Sequence, residues 1–471
     1  MTEILELPGN KKKAIRILSM DGGGVRGVAV ARILEEIETV CKKPIHELFD
    51  VVVGTSTGGL LSIMMTCPTN YPDKHIMSAE EAKNFYLNEG TTIFPPRSII
   101  RKALDYTILL PKTFSKPRYS PEGLESVIRG HYGDKATLAS AKICAGIVGS
   151  DIRYAESMVF NSVRAKLYPE DYRHNATLIE VGRATSAAPI FLPPIMVRDQ
   201  LRNLPKLRRP RKSVTWNSLE TPEYLRDHLI YEDGGTTHNN PTELAYKLAR
   251  MHLKAHGYNH EDFQFQVVSL GTGSENGLEE DPTIKEKGWK KESADGGFDN
   301  VIRRVFLDDV FSMNVKEWRA HLKVKGKLGD KEGDEPGSNY WRIQFRLGKN
   351  LTGQMDNSKK DHMDALVRAA ESYLYKEGTK EHTDSFKALA AYLSKECERP
   401  KFDSQEAQES LKATKETSQQ PLQVNKFKTD ETSASASETF SLTHEHINAL
   451  IQFTSAPQIK LTNFKCKAAC C

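Results

Sequence analysis

A chain of 471 residues with 66 Lys and Arg against 62 Asp and Glu carries a formal charge of +4, and 38% of it is hydrophobic. So small a charge excludes wholesale coating of nucleic acid, though not a local basic patch. The composition is that of a globular chain with a sizeable core, in roughly two to four domains or one large domain with extensions. No stretch approaches the ~18 apolar residues of a spanning helix, so any contact with membrane is expected at the surface. The N-terminal stretch MTEILELPGNKKKAIRILSM has acidic residues and no unbroken apolar run, which speaks against a secretory signal. Of seven cysteines, those at 41, 67, 144 and 397 are scattered among apolar neighbours and read as reduced core thiols rather than a disulfide frame.

In chain order, AIRILSM (14–20) predicts a buried strand. A helix follows, with Val30, Ile33, Leu34, Ile37, Val40 and Cys41 at i, i+3, i+4, i+7 spacing. FDVVVG (49–54), KICAGIVGSD (142–151) and FQVVSLGTG (265–273) predict further strands, several apolar throughout as buried parallel strands are. Strand, helix and strand within ~40 residues make a βαβ unit and place the chain in the α/β class. Later, NYWRIQFRL (339–347) predicts a strand. DHMDALVRAAESYLYKEG (361–378), stopped by Gly378, and TDSFKALAAYLSKECE (383–398) predict amphipathic helices. From about 402 to 437 the composition turns to Ser, Thr, Gln, Glu and Lys. Such a segment buries too little apolar surface to offset its ordering entropy and reads as a linker. SLTHEHINALIQF (441–453) predicts one short helix before a cysteine-rich tail.

The first functional question lies in ILSMDGGGVRGVAVARILEEIE, where Gly22, Gly24 and Gly27 spell G-x-G-x-x-G. A dinucleotide site also needs an acid at the end of the second strand. Asp50 begins that strand instead, and what ends it is Gly54-Thr55-Ser56-Thr57-Gly58, a G-x-S-x-G before the helical run GLLSIMMT. That is the context of a nucleophile elbow, in which a sharp turn projects Ser56 and glycines permit the crowded backbone. The loop of Gly22, Gly23 and Gly24 is then a candidate oxyanion hole, with Arg26 adding charge or fixing it. A serine nucleophile needs a base. Asp233, in YEDGGTTHNNP, serves directly if burial raises its pKa, and His238 is the rival in a triad.

D-G-G-G-x-R-G, then G-x-S-x-G on an elbow, then D-G-G, in this order, resembles the patatin-like phospholipase family. ATSAAPIFLPP (184–194), NNP (239–241), SLGTG and YWRIQ resemble that family's blocks too, and the likeness spans about 15–375 with no departure at the motif residues. The resemblance implies a three-layer α/β sandwich with a mostly parallel central sheet. It also implies a Ser–Asp dyad of Ser56 and Asp233 with Gly22–Gly24 as oxyanion hole, cleaving fatty-acyl esters of glycerophospholipids through an acyl-enzyme. No metal, cofactor or catalytic histidine is expected, which demotes His238. The run 189–194 is a candidate acyl-channel lining. Asp21 is read as a structural anchor of the glycine loop.

These readings give a catalytic domain over 14–400, with its motif core at 15–275 and a strand and helical part at 276–400. A low-complexity linker over 401–440 and a short helix with a Cys-rich tail over 441–471 follow. For membrane docking the candidates are Arg202, Lys206, Arg208, Arg209, Arg211 and Lys212, in a stretch with seven Lys or Arg among residues 198–212. A mixed basic and apolar stretch at 97–118, with Ile99, Ile100, Ile108 and Leu109, is another. The tail NFKCKAACC fails C-a-a-X. Cys470 and Cys471 resemble the double geranylgeranylation site of Rab-type small GTPases, and Cys466 between lysines suits palmitoylation. The expected partner is a phospholipid membrane, with no nucleic acid, and the expected place is the cytoplasm, peripheral on membranes. Some patatin-like relatives are bacterial effectors that work in a host cytosol and need a host activator, ubiquitin in some cases, so both extend the expectation. The alternatives are a lipid-binding protein that keeps the fold with little turnover, a nucleotide-binding oxidoreductase, and an α/β-hydrolase esterase. Against the last, the glycine loop precedes the nucleophile by one βα unit and no late histidine motif follows Asp233.

Overall fold

The computed structural model describes residues 13–70, 73–96, 117–152, 156–169, 175–189, 191–197, 229–274, 323–324, 328, 339–348, 351, 354–375 and 380–418. One eight-stranded sheet organises them: β1 (Lys13–Met20), β2 (Val51–Thr55), β3 (Cys144–Asp151), β4 (Glu156–Asn161), β5 (Ile195–Val197), β6 (Leu229–Asp233), β7 (Phe263–Leu270) and β8 (Tyr340–Ile343). Their order is β5-β6-β3-β2-β1-β7-β8, with β4 also on β3. The pairs β1–β2, β1–β7, β2–β3 and β7–β8 are parallel. The pairs β3–β4, β3–β6 and β5–β6 are antiparallel, so the sheet is mixed around a parallel centre.

The central strands are apolar throughout because both faces are covered. Ile15, Ile17, Val51 and Val53 enter one buried cluster, while Leu18, Met20, Val52 and Ile147 enter the other. This period of two splits the core into two halves and makes three layers. One outer layer holds α1 (Gly27–Cys41), α2 (Thr57–Thr66), α3 (Ala79–Ile93), α4 (Glu122–Tyr132), α5 (Leu178–Ser186), α7 (Lys360–Tyr375) and α8 (Lys380–Ser394). The other holds α6 (Thr242–Ala255), the short helix Ser162–Leu167 and α9 (Gln405–Ser418). Helix α1 buries Val30, Ile33, Leu34, Ile37 and Cys41 as its spacing predicts, but Val40 is 45% exposed, beside a left-handed C-cap at Lys42.

The linker expected from 402 onward does not begin there, because α9 occupies its first part. Ala407 is buried, Leu411 packs on the second core cluster, and Thr414 Oγ1 donates to the carbonyl of Ala255 at 3.2 Å. A few small apolar residues suffice because α6 supplies the surface they need, which composition alone does not reveal. The six basic docking candidates Arg202, Lys206, Arg208, Arg209, Arg211 and Lys212 lie outside the described residues, as do Cys466, Cys470, Cys471, Gly378, the helix expected at 441–453 and most of 97–118. Among the described residues no helix is long and apolar enough to cross a membrane.

Candidate active site

The site lies at the carboxyl edge of the parallel strands, beside β1, where the sheet order reverses between β2 and β7. In open α/β sheets that crevice is where ligands bind. Beyond Met20 the chain leaves β1 through Asp21, whose carboxylate takes Arg342 of β8 at 3.0 and 2.5 Å in a buried bidentate pair. This anchors the glycine loop. Gly22 is clamped on both sides, its N–H donating to the carbonyl of Asn239 at 3.2 Å and its own carbonyl accepting Thr272 Oγ1 at 3.0 Å. Gly24 has φ +59, and a Cβ there would stand 2.2 Å from the carbonyl oxygen of Met355.

Two expectations for the loop change. The Gly22 N–H is engaged, so it is no free donor for an oxyanion. The Arg26 guanidinium is buried and turned to the loop's surroundings: Nε donates to the carbonyl of Gly23 at 3.3 Å and Nη1 to that of Gly273 at 3.2 Å. Arg26 is a clamp on the glycine loop and does not line the cleft. The backbones of Gly23 and Gly24 do line the cleft.

Ser56 sits between β2 and α2 with φ 53 and ψ −120, a strained backbone for a residue with a side chain. The turn closes so tightly that a Cβ at Gly54 would lie 1.9 Å from the carbonyl oxygen of Gly58, and one at Gly58 2.3 Å from that of Met20. Thr185 holds the elbow from behind, accepting the Ser56 N–H at 2.8 Å and donating to the carbonyl of Val148 at 2.5 Å. Helix α5 brings Thr185 there, its start fixed by a capping box of Thr177 and Glu180.

Strand register explains how Asp233 meets Ser56 across 177 residues of chain. Strand β2 pairs with 144–148 of β3 in parallel, and β6 pairs with 149–151 of the same strand antiparallel. Strand β4 already pairs with 146–151, so it must take the other edge of β3. Strands β2 and β6 therefore share one edge and run head to head, their carboxyl ends meeting at Val148 and Gly149. Ser56 Oγ donates to Asp233 Oδ2 at 2.6 Å. The other carboxylate oxygen accepts the Gly235 N–H at 2.7 Å. Asp233 is almost fully buried, and this burial pushes its carboxyl up to about 7, against the lowering pull of the Ser56 and Gly235 hydrogen bonds.

The imidazole of His238 is placed elsewhere, with Nδ1 2.6 Å from Ser157 Oγ, and its backbone carbonyl accepts Thr55 Oγ1 at 2.8 Å. Asp50, the residue weighed as a ribose acid, lies at the opposite end of β2 and pairs with Arg399 at 2.8 Å. Above the dyad opens a cleft of about 780 Å³, open solvent at its mouth included. Leu60, Ile93, Phe94, Leu124, Phe191 and Leu192 form its apolar walls, so two residues of the 189–194 run lie where an acyl chain would. Thr185 and Thr272 escaped the sequence reading as individual residues, although both fall inside quoted family blocks. Met355 carried no signal at all. Among the described residues no group of three His, Cys, Asp or Glu side chains gathers to hold a metal ion.

A helix-flanked mixed sheet with a serine on a strand-to-helix elbow and an apolar cleft over it has the layout of an ester hydrolase. Residues 18–246 match the family model described as patatin-like phospholipase. Patatin-like protein 2 of Arabidopsis thaliana is 30% identical over 393 residues, 79% of this chain and 85% of that one. Patatin-like protein 2 of Oryza sativa subsp. indica is 29% identical over 385 residues, 78% and 85% of the two chains. Patatin-T5 of Solanum tuberosum is 24% identical, covering 81% and 89%. The chain belongs to the patatin-like phospholipase family. A solved structure, VipD from Legionella pneumophila, aligns over 81% of this chain and 74% of its own at 11% identity and a TM-score of 0.30, too slight a likeness to bear on the fold.

Proposed function

We propose that this protein is a phospholipase of the A type that cleaves fatty-acyl esters of glycerophospholipids at a membrane surface, with Ser56 as nucleophile and Asp233 as general base. The observation that carries the reading is the 2.6 Å hydrogen bond from Ser56 Oγ to a buried carboxylate at the foot of an apolar cleft. As Oγ attacks the ester carbonyl carbon, its proton passes to Asp233 Oδ2. The N–H groups of Gly23 and Gly24, whose residues line the cleft, take up the negative charge on the carbonyl oxygen in this reading. Collapse expels the glycerol oxygen, which takes the proton back from Asp233 and leaves an acyl chain on Ser56. Water then attacks the acyl-enzyme with Asp233 again accepting the proton, the acyl–Oγ bond breaks, Asp233 returns the proton to Ser56 Oγ, and the fatty acid departs. A carboxyl near pH 7 in affinity is a far better base than an exposed aspartate, which supports the assignment.

The test is fatty-acid release from vesicles of phosphatidylcholine mixed with an anionic lipid, with and without cytosolic extract. Release by the wild type, lost in both Ser56→Ala and Asp233→Asn, is the expected result. Release only with extract would add a protein activator. Release that survives Ser56→Ala would sink the dyad. No release from any vesicle would leave a lipid-binding role.

A further inference from the structure

The cleft accounts for an acyl chain, yet none of its apolar walls explains how a phosphate-bearing ester is told from a neutral one. A cation does stand against one of those walls. Arg118, the last residue of the mixed basic and apolar stretch, lies with its guanidinium carbon 5.4 Å from the ring centroid of Phe191, a wall of the cleft. The chain binds there directly, the Tyr119 N–H donating to the carbonyl of Phe191 at 2.9 Å. On its other side stands Asp356, next to Met355, whose carbonyl accepts the Val25 N–H beside the glycine loop at 2.8 Å. Arg118 thus stands between Phe191 and the residue that follows Met355, and both Phe191 and Met355 line the cleft.

Among the described residues its donors meet only one distant carboxylate. The Asp356 carboxylate stands 3.8 Å from Nη1, beyond hydrogen-bond length, and already accepts the Tyr119 hydroxyl at 2.9 Å. Among the described residues the Arg118 guanidinium makes no hydrogen bond, and its side chain is 31% exposed while Phe191 beneath it is buried. An arginine held in place by a ring and a distant carboxylate, with its planar fork open, suits a phosphodiester. In a glycerophospholipid the phosphate lies only a few bonds from the ester carbonyl, and Ser56 and the Phe191 on which Arg118 rests line the same cleft.

Resting on the phospholipase reading above, we propose that Arg118 binds the phosphate of the lipid being cleaved and so sets the preference for phospholipids over neutral acylglycerols. Asp356 and Phe191 hold the guanidinium in position for it. Binding is expected in the ground state and the transition state alike, so its loss acts on KM more than on kcat.

The experiment compares kcat/KM for phosphatidylcholine and for diacylglycerol of the same acyl chains, each in neutral detergent micelles, which removes bulk surface charge. In Arg118→Gln the ratio is expected to fall about tenfold through KM, and in Arg118→Lys, which keeps charge but loses the fork, by an intermediate amount. Glycerophosphocholine should inhibit diacylglycerol hydrolysis by the wild type more strongly than by Arg118→Gln. This competition on the wild type, with the lysine variant, decides the matter should Arg118→Gln fold poorly. An unchanged ratio in a folded variant overturns the assignment, and so does inhibition by inorganic phosphate without inhibition by the diester. Failure of the wild type to cleave either lipid would strike the hydrolase reading itself, and it shows in the wild type rather than as a changed ratio.

Discussion

At Ser56 one residue combines a strained backbone with a hydroxyl hydrogen-bonded to a buried carboxylate. The torsions cost of order 1–3 kcal/mol, held by glycines whose replacement the geometry forbids. Gly54→Ala forces a Cβ to within 1.9 Å of a backbone carbonyl and is expected to lose more than about 3 kcal/mol, or to fail to accumulate. Denaturant unfolding measures this. Ser56→Ala keeps the fold and loses at least about a thousandfold in ester turnover. Asp233 links activity to pH. Its carboxyl must be ionised to accept a proton, so kcat/KM should rise with pH to a plateau, with an apparent pKa near 7. Stability runs the opposite way. The folded chain holds this proton to about pH 7 while the unfolded chain releases it near the ordinary 3.8, so an unfavourable contribution grows between about pH 4 and 7. Asp233→Asn should therefore gain roughly 2–4 kcal/mol over the wild type at pH 8, and the gap should close toward pH 4. Equal melting shifts at both ends of that range would contradict the raised pKa.

Elements, rather than residues, bring the dyad together. Strands β2 and β6 end against each other on one edge of β3, so a short turn after each delivers Ser56 and Asp233 to the same point. Helix α5 secures the junction through Thr185, which bridges the Ser56 N–H and the Val148 carbonyl. Thr185→Val matches the shape and removes both bonds. It should lower kcat about ten- to hundredfold with little change in KM, since the elbow loses its alignment while the cleft keeps its walls. Steady-state kinetics on a soluble ester checks this. The elements themselves were legible wherever apolar periodicity was strong, as in β1, α1 and β2. Helix α9 was not, because its own sequence is polar and only the surface of α6 gives it a place to dock. Ala407→Asp puts an unpaired charge in that contact and should lower the melting temperature by several degrees.

Across the whole molecule, the C-terminal part ties back to the first strands and the loop. Arg16 of β1 donates to the carbonyls of Leu393 and Lys395 at 2.8 Å each, and Arg399 returns to Asp50. Arg342, on the last strand of the sheet, clamps Asp21 at the root of the glycine loop. Removing one partner of such a buried pair strands the other's charge. Arg342→Met should therefore cost about 3–5 kcal/mol, and the loss should be partly restored by adding Asp21→Asn. A melting series over the two single variants and the double variant tests it.

Local rules made the α/β class, the elbow serine and the glycine loop legible: apolar period, turn chemistry and the spacing of small residues around a serine. The preference for Asp233 over His238 came instead from the likeness to the family, because local spacing left both open. Only the folded chain shows that the Gly22 N–H is engaged, that Arg26 clamps the loop instead of lining the cleft, and where His238 goes. The same holds for the pairing of Asp50 with Arg399 and for the docking of α9. Hydrogen-bond partners dozens to hundreds of residues apart settle those points. Whether a donor is free depends on what the fold packs against it, and no window of sequence contains that.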